Sequence, residues 1–247
     1  MCGRYVLRVI LKNLSRDFPL GFEVLESDLP PVTGPRFNIA PTQLVSVIRM
    51  MGRERRHSFL RWGLIPHWWK NGKPKIQINA RSETLLEKPY FRDAARKRRC
   101  LILADGFYEW KRDANDKPVQ AYFIERADGK PFMMAGIWEN WISPDGEAVE
   151  TVAIVTVSEN ADVRPVHHRM PVILDPRDYL TWLEADRVSA EEAMKLCVPA
   201  PDGTLIARPI GNRVNAVRND DAANLEPDDP NKPPKPRKRD EGQGRLF

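Results

Sequence analysis

Cys2 stands directly behind Met1, and it is the first residue in this chain whose type and place could do chemistry. An initiator methionine is normally clipped when the next side chain is small, and cysteine is small enough. The trimmed chain would carry an α-amine with a pKa near ~8 and a thiol near ~8.5 on one carbon skeleton. A cysteine placed there only for its small size would give the same spelling, so other groups must decide. Polar residues set in apolar, strand-like segments are the next candidates, because burying them without partners costs roughly 2–7 kcal/mol. Asn79 and Arg81 lie in "INARSE", Glu109 in "LADGFYEW", and His167, His168 and Arg169 lead into "MPVIL". Read singly, Asn79 also suits a turn, Glu109 an exposed strand end and His167 a satisfied core histidine.

Trp68 and Trp69 sit in the loop "IPHWWKNGK" beside lysines. Two adjacent indoles cannot both turn to one core, so one is expected to anchor and the other to offer a stacking platform. Stacking on an unpaired base contributes ~1–3 kcal/mol. Arg4, Arg36, Arg81 and Arg169 lie near loops or strand ends and could meet phosphates. The histidine pair lacks a metal-ligand spacing, and Cys2, Cys100 and Cys197 form no C-x-x-C, so neither a metal nor any other cofactor is called for. Cys100 and Cys197 read as small buried hydrophobes.

The 247-residue chain has a formal net charge of +5, a mild pointer to a polyanionic partner. Residues 219–247 hold seven acids and six bases, so the positive excess belongs to what precedes them. Three widely spaced cysteines suit a reducing compartment, no secretory signal is seen, and no apolar run approaches the ~20 residues of a membrane span. The expectation is a cytoplasmic protein.

The elements that must position these groups are mostly strands. "LVSVIRM" and "RHSFLRWGLI" flank "GRER" as a hairpin, and "ERADGKPF" and "WISPDGEAV" carry Asp-Gly turn signals for two more. "TVAIVTV" reads as a buried strand, "TLIARPI" as the last one, and "TGPRFNIAPTQ" as a loop. "VILKNLSRDF" and "LLEKPYFRDAARKRR" read as helical, the second broken by Pro89. Ser82, Asp175 and Ser189 are candidate helix caps, Ser189 with Glu192 in a capping box. Pairing through hairpins argues for a mainly antiparallel α+β domain over 1–221, with a disordered, charged, Pro-rich tail over 222–247.

Taken in order, "MCGRY", "RFNIAPTQ", "RWGLIPHW", "NARSET", "ADGFYEW", "HHRMPVIL" and "VNAVRND" resemble the SOS-response-associated peptidase (SRAP) family. The resemblance runs from Cys2 to about Asp221 and omits the tail. His168 stands where the family often has an acid, and His167 matches its working histidine. The resemblance implies a single α+β domain with a curved, barrel-like sheet, flanking short helices, a basic groove and Cys2 at its floor. It implies capture of abasic sites in single-stranded DNA, with "peptidase" referring to removal of Met1. It implies Cys2, Asn79, Glu109 and His167 as catalytic residues. It implies Arg4, Asn38, Pro41, Trp68, Trp69, Arg81 and Arg169 as DNA contacts. A monomer suffices, and replication-associated proteins are conceivable partners.

The chemistry follows from the aldehyde of a ring-opened abasic deoxyribose. The Cys2 amine would form a Schiff base at C1′, and the thiol would close a five-membered thiazolidine, favoured by its intramolecular geometry. That ring would protect the strand from the β-elimination an imine invites. Glu109 and His167 would move the protons, an imidazole near pKa ~6.5 suiting both directions. Two other readings use the same residues: an N-terminal-nucleophile cysteine hydrolase, and a non-covalent single-strand binder that would not need Cys2.

Overall fold

Two long apolar runs, Phe132–Ile142 (β9) and Ala148–Ser158 (β10), pair with each other and each with further strands, and this double pairing organises the molecule. The computed structural model describes residues 2–8, 34–70, 72 and 74–227; the helix expected at 9–18 lies outside them. Leu44–Met51 (β3) and Glu54–Trp62 (β4) form the expected hairpin. β3 also pairs with Arg99–Ala104 (β6), β6 with β9, and β10 runs parallel to β4. The path β10–β4–β3–β6–β9–β10 therefore closes on itself, giving the barrel-like α+β architecture the sequence anticipates. A closed ring has no free edge between its members.

Short strands extend the ring. Asn79–Arg81 (β5) continues the line of β4 along β10, again in parallel, while Arg169–Pro171 (β11) and Ile173–Leu174 (β12) lie antiparallel to β10 and β9. Between β4 and β5 the chain leaves the barrel wall at Gly63, whose φ of +133° suits glycine. Leu64 and Gln77 exchange main-chain hydrogen bonds of 2.9 and 3.1 Å, pinching the neck of this excursion, which carries Trp68 and Trp69.

A second, all-antiparallel sheet lies across the barrel. Its order is Leu205–Ile210 (β13), Pro118–Arg126 (β8), Gly106–Arg112 (β7), Arg4–Leu7 (β1) and Arg36–Ile39 (β2). Period-two alternation sorts its side chains. Tyr5, Phe107 and Ile124 join the barrel core with Cys2, while Val6, Tyr108 and Phe123 form a smaller core with Ile210 and Val214. Each large side chain buried this way contributes ~1.5–3 kcal/mol. Gly106 is needed where β7 begins, since a Cβ there would lie 2.5 Å from the Phe123 ring.

Several expectations need correction. "RFNI" is strand β2, because pairing with β1 and burial of Asn38 and Ile39 outweigh the flanking prolines. "ERADGKPF" is no hairpin: β8 and β9 belong to different sheets, and the turn hands the chain between them. Ser82 is no cap, since Arg81 is still paired with Thr156 and the 3-10 turn Ser82–Thr84 starts after it. Of 85–99 only Arg92–Lys97 (α1) is α-helical, beginning after Pro89. Asp175 accepts from Arg177 N ahead of Tyr179–Leu183 (α2), and Ser189 from Glu192 N ahead of Ala190–Met194 (α3). The fold continues beyond Asp221 through a 3-10 turn, Ala222–Leu225, whose Leu225 packs on the smaller core. Among the described residues no helix is long and apolar enough to cross a membrane.

Candidate active site

Cys2, Asn79, Glu109 and His167 come from four different parts of the chain and meet at one end of β10. β1 and β7 place Arg4 beside Tyr108, which brings the segment before β1 alongside Glu109. β5, pinned parallel to β10, directs the Asn79 amide to the Cys2 carbonyl at 2.9 Å. β11, on the other edge of β10, fixes the turn that ends at His167. His167 Nδ1 lies 4.0 Å from Glu109 Oε1. Asn79 thus holds Cys2, His167 faces Glu109, and Glu109 lies near enough to Cys2 for its charge to act on the thiol.

Burial governs their ionisation. The Cys2 side chain is fully enclosed, which pushes its thiol pKa well above the usual range, and the negative charge of Glu109 adds to the effect. Burial likewise raises the Glu109 carboxyl, so a proton is held there more readily than on a surface glutamate. His167 moves the other way, down to about 4, again mainly through burial. Its stacked neighbour His168, with ring centroids 4.4 Å apart, works in the same direction. The main-chain N–H of Arg169 donates to His167 Nδ1 at 2.9 Å. The Arg169 carbonyl lies farther from the same atom, at 3.2 Å, so the closer N–H contact favours Nδ1 as the acceptor and the ring proton on Nε2. Near neutrality His167 is thus an uncharged donor at Nε2. The ordinary pKa near 6.5 assumed from its residue type does not hold in this enclosure.

Asn79 is 8% exposed, and its Oδ1 is buried without a hydrogen-bond partner among the described residues. Such an oxygen is costly to leave bare and is suited to accept from a group that arrives with a ligand. A cavity of about 430 Å³ opens beside His167 and His168 and is edged by Arg81, Arg112 and Arg164, with Asp116 as the acid among them.

The remaining anticipated residues fall into three groups. Arg81 is exposed at the cavity mouth, and Trp68 is 42% exposed. Trp69 is half-buried, its carbonyl held by Trp141 Nε1 at 2.7 Å, so the two indoles divide as expected between anchor and surface. Pro41 stands before Thr42, which turns the chain with φ +74° and donates to Trp62 O. Arg4, Asn38 and Arg169 are turned inward. Asn38 is fully buried, its Nδ2 facing the carbonyls of Val214, Ala216 and Asn219, while its Oδ1 accepts from Arg4 at 2.9 Å. It is a clasp on the loop "VNAVRND", reinforced by Asp220, which binds Arg36 and the main chain at Phe37 and Asn38. Arg169 forks onto Glu83 at 2.5 and 2.9 Å and reaches Thr156 O at 2.7 Å, bracing the turn that carries His167.

Arg112, Arg164 and Glu83 are parts of the site that residue types alone did not single out. Glu83 lies inside "NARSET", one turn from Asn79, and that adjacency was the available signal. Arg112 reaches the cavity because the register of β7 on β8 shifts between Lys111 and Arg112, and a bulge re-aims the side chains beyond it.

Comparison with other proteins gives a family match. The family profile described as SOS response associated peptidase (SRAP) matches residues 1–217. The chain is 34% identical over 220 residues to the abasic site processing protein YoqW of Bacillus subtilis, covering 89% of this chain and 96% of that one. It is 39% identical over 186 residues to the abasic site processing protein HMCES of Gallus gallus, covering 65% of this chain and 54% of that one. A crystal structure of a Bacteroides thetaiotaomicron protein superposes with a TM-score of 0.79 at 26% identity, covering 92% of this chain and all of that one.

Proposed function

Since the chain belongs to the SOS response associated peptidase family, we propose that it processes abasic sites by covalent capture at Cys2 once Met1 has been removed. The observation that carries this reading is the meeting of Cys2, Asn79, Glu109 and His167 in one enclosed site beside a cavity edged by arginines. The freed α-amine attacks C1′ of the ring-opened deoxyribose and gives a carbinolamine. Glu109, holding a proton through burial, delivers it to the departing hydroxyl, and water leaves with formation of the iminium. The resulting carboxylate takes the thiol proton as sulfur adds to the imine carbon. The C=N π pair returns to nitrogen as its lone pair, and the ring contains N, Cα, Cβ, Sγ and C1′. Aldehyde plus aminothiol thus becomes thiazolidine plus one water.

The raised thiol pKa supports this order of events, with nitrogen first and sulfur second. It disfavours a cysteine hydrolase, which needs a thiolate nucleophile at rest. His167, neutral with its proton on Nε2, is suited to donate to a sugar oxygen during ring opening. Asn79 Oδ1 is suited to accept from the amine or the sugar. Arg81, Arg112 and Arg164 would take flanking phosphates of a single strand, Arg4 a further one, with Trp68 stacking on an adjacent base and Pro41 as another contact. Asn38 and Arg169 would act by holding their neighbours in place.

The test is incubation of the purified protein with a single-stranded oligonucleotide containing one abasic site, read by denaturing gel and intact mass. A single adduct is expected, its mass that of the strand plus the Met1-less protein less one water. Cys2→Ser should abolish the stable adduct while leaving binding to undamaged strand intact. Retention of Met1 in the cross-linked species, or an undiminished stable adduct with Cys2→Ser, defeats the proposal.

A further inference from the structure

A second cavity lies elsewhere. It holds about 760 Å³, within the ~300–1,000 Å³ usual for small-molecule sites, and opens between the β3–β4 turn, the end of α1, β9 and the segment after α2. Trp138, which faces it, pairs with Val152 of β10, whereas the Arg169 end of the active site pairs with Ser158. Six residues of strand put the two places ~20 Å apart.

Five cations line this cavity: Arg53, Arg55, Lys97, Arg99 and Arg187. Glu184, 3.7 Å from Arg187, and Asp186 are the acids among them, so the lining carries more basic than acidic side chains. Arg99 gives the strongest indication. It is 1% exposed, and its guanidinium donates to three main-chain carbonyls, of Trp182 at 2.6 Å, Ala95 at 3.2 Å and Val188 at 2.8 Å. These oxygens take three of its five N–H hydrogens and none of its charge, and among the described residues no carboxylate lies within ion-pair distance of it. Burial lowers its pKa to about 10, in keeping with a cation that lacks a counter-charge. The neighbouring Arg49 differs, since Glu150 neutralises it through two bonds of 2.7 Å while it covers one face of Trp138. The cavity therefore has a fixed positive charge at its wall, three exposed cations at its rim (Arg53, Lys97 and Arg187) and an indole beside them.

We propose that this cavity is a second, phosphate-binding site, remote from Cys2 and independent of the lesion chemistry. Phosphate oxygens supply the compact, multiply accepting anion that a cluster of arginines recognises. The phosphate can belong to a free nucleotide or to the backbone of a strand. Calorimetric titration of the full chain with inorganic pyrophosphate tests the site, and the double variant Arg53→Glu with Arg187→Glu tests its location. Both side chains are exposed, so the fold is retained, as a thermal melt will verify. The expected result is one binding site in the native protein, weakened about tenfold or more in the double variant and by added salt, with lesion cross-linking unchanged. Displacement of pyrophosphate by an undamaged oligothymidylate assigns the phosphate to a strand; displacement by thymidine monophosphate alone assigns it to a nucleotide. Absence of pyrophosphate binding, equal affinity in the double variant, or loss of cross-linking together with pyrophosphate affinity overturns the proposal.

Discussion

Asn38→Ala is the substitution whose cost can be worked most directly from the structure. The Asn38 amide has two hydrogens to share among the carbonyls of Val214, Ala216 and Asn219, and its oxygen accepts from Arg4. Removing the amide deletes two neutral hydrogen bonds, each with a net value of ~1 kcal/mol, and one bond from a charged donor at ~1.5–3 kcal/mol. No carbonyl is left bare. Val214 O keeps Arg4, Ala216 O keeps Asn219 N, and Asn219 O keeps Asn224 Nδ2. Arg4 also keeps Val214 O, so the total falls at the lower end, about 3–4 kcal/mol. Urea denaturation should show this as a lower midpoint with an unchanged slope. Asn38→Asp is isosteric yet expected to be no better, because it turns an anionic oxygen towards three carbonyls and towards Asp220. An Asn38→Asp protein within about 1 kcal/mol of the native one, a single ordinary hydrogen bond, would refute the clasp described here.

Glu109→Gln should slow formation of the adduct by roughly 10²- to 10⁴-fold in single-turnover gels while leaving the melting temperature nearly unchanged; a native rate removes the proton-transfer role. His167 and His57 both have folded pKa values lowered to about 4 by burial, so the unfolded chain binds more protons between about pH 4 and 6.5. Stability should therefore fall as pH drops through that window, by about 2 kcal/mol per histidine between pH 7 and 5, measurable by denaturant titration at several pH values. Trp68→Ala should weaken single-strand binding by about 1–3 kcal/mol in fluorescence anisotropy and barely alter stability, whereas Trp69→Ala, removing a half-buried ring beside Tyr90, should destabilise the fold.

What could be read from sequence follows the range over which each interaction acts. The β3–β4 and β9–β10 hairpins and the Asp175 and Ser189 caps were legible because a turn or cap is decided by residues within a few positions of one another. Asn79, Glu109 and His167 stood out because a polar residue beside an apolar strand needs an explanation, Cys2 by its place behind Met1, and only the family resemblance joined the four. Closure of the barrel came only through the family resemblance and not from the residues themselves, since the parallel contact of Trp62 with Val152 joins segments ninety residues apart. Nor was the inward turn of Asn38 and Arg169, whose partners Ala216 and Glu83 are distant in sequence. The neutrality of His167 depends on a main-chain N–H and on burial, neither of which a residue type encodes.

The housing around Cys2 has a consequence for the order of events during synthesis. Every wall of it is made later than the residue it encloses: Asn79 binds its carbonyl, and Glu109 and His167 complete the enclosure. At ribosomal speeds of ~5–20 residues per second, His167 follows Cys2 by roughly ten to thirty seconds. For that interval the leading residues travel as bare chain, open to any aminopeptidase waiting at the exit tunnel. A methionine trimmed then owes nothing to the finished site, whereas one trimmed by the protein itself must wait until the last wall is in place.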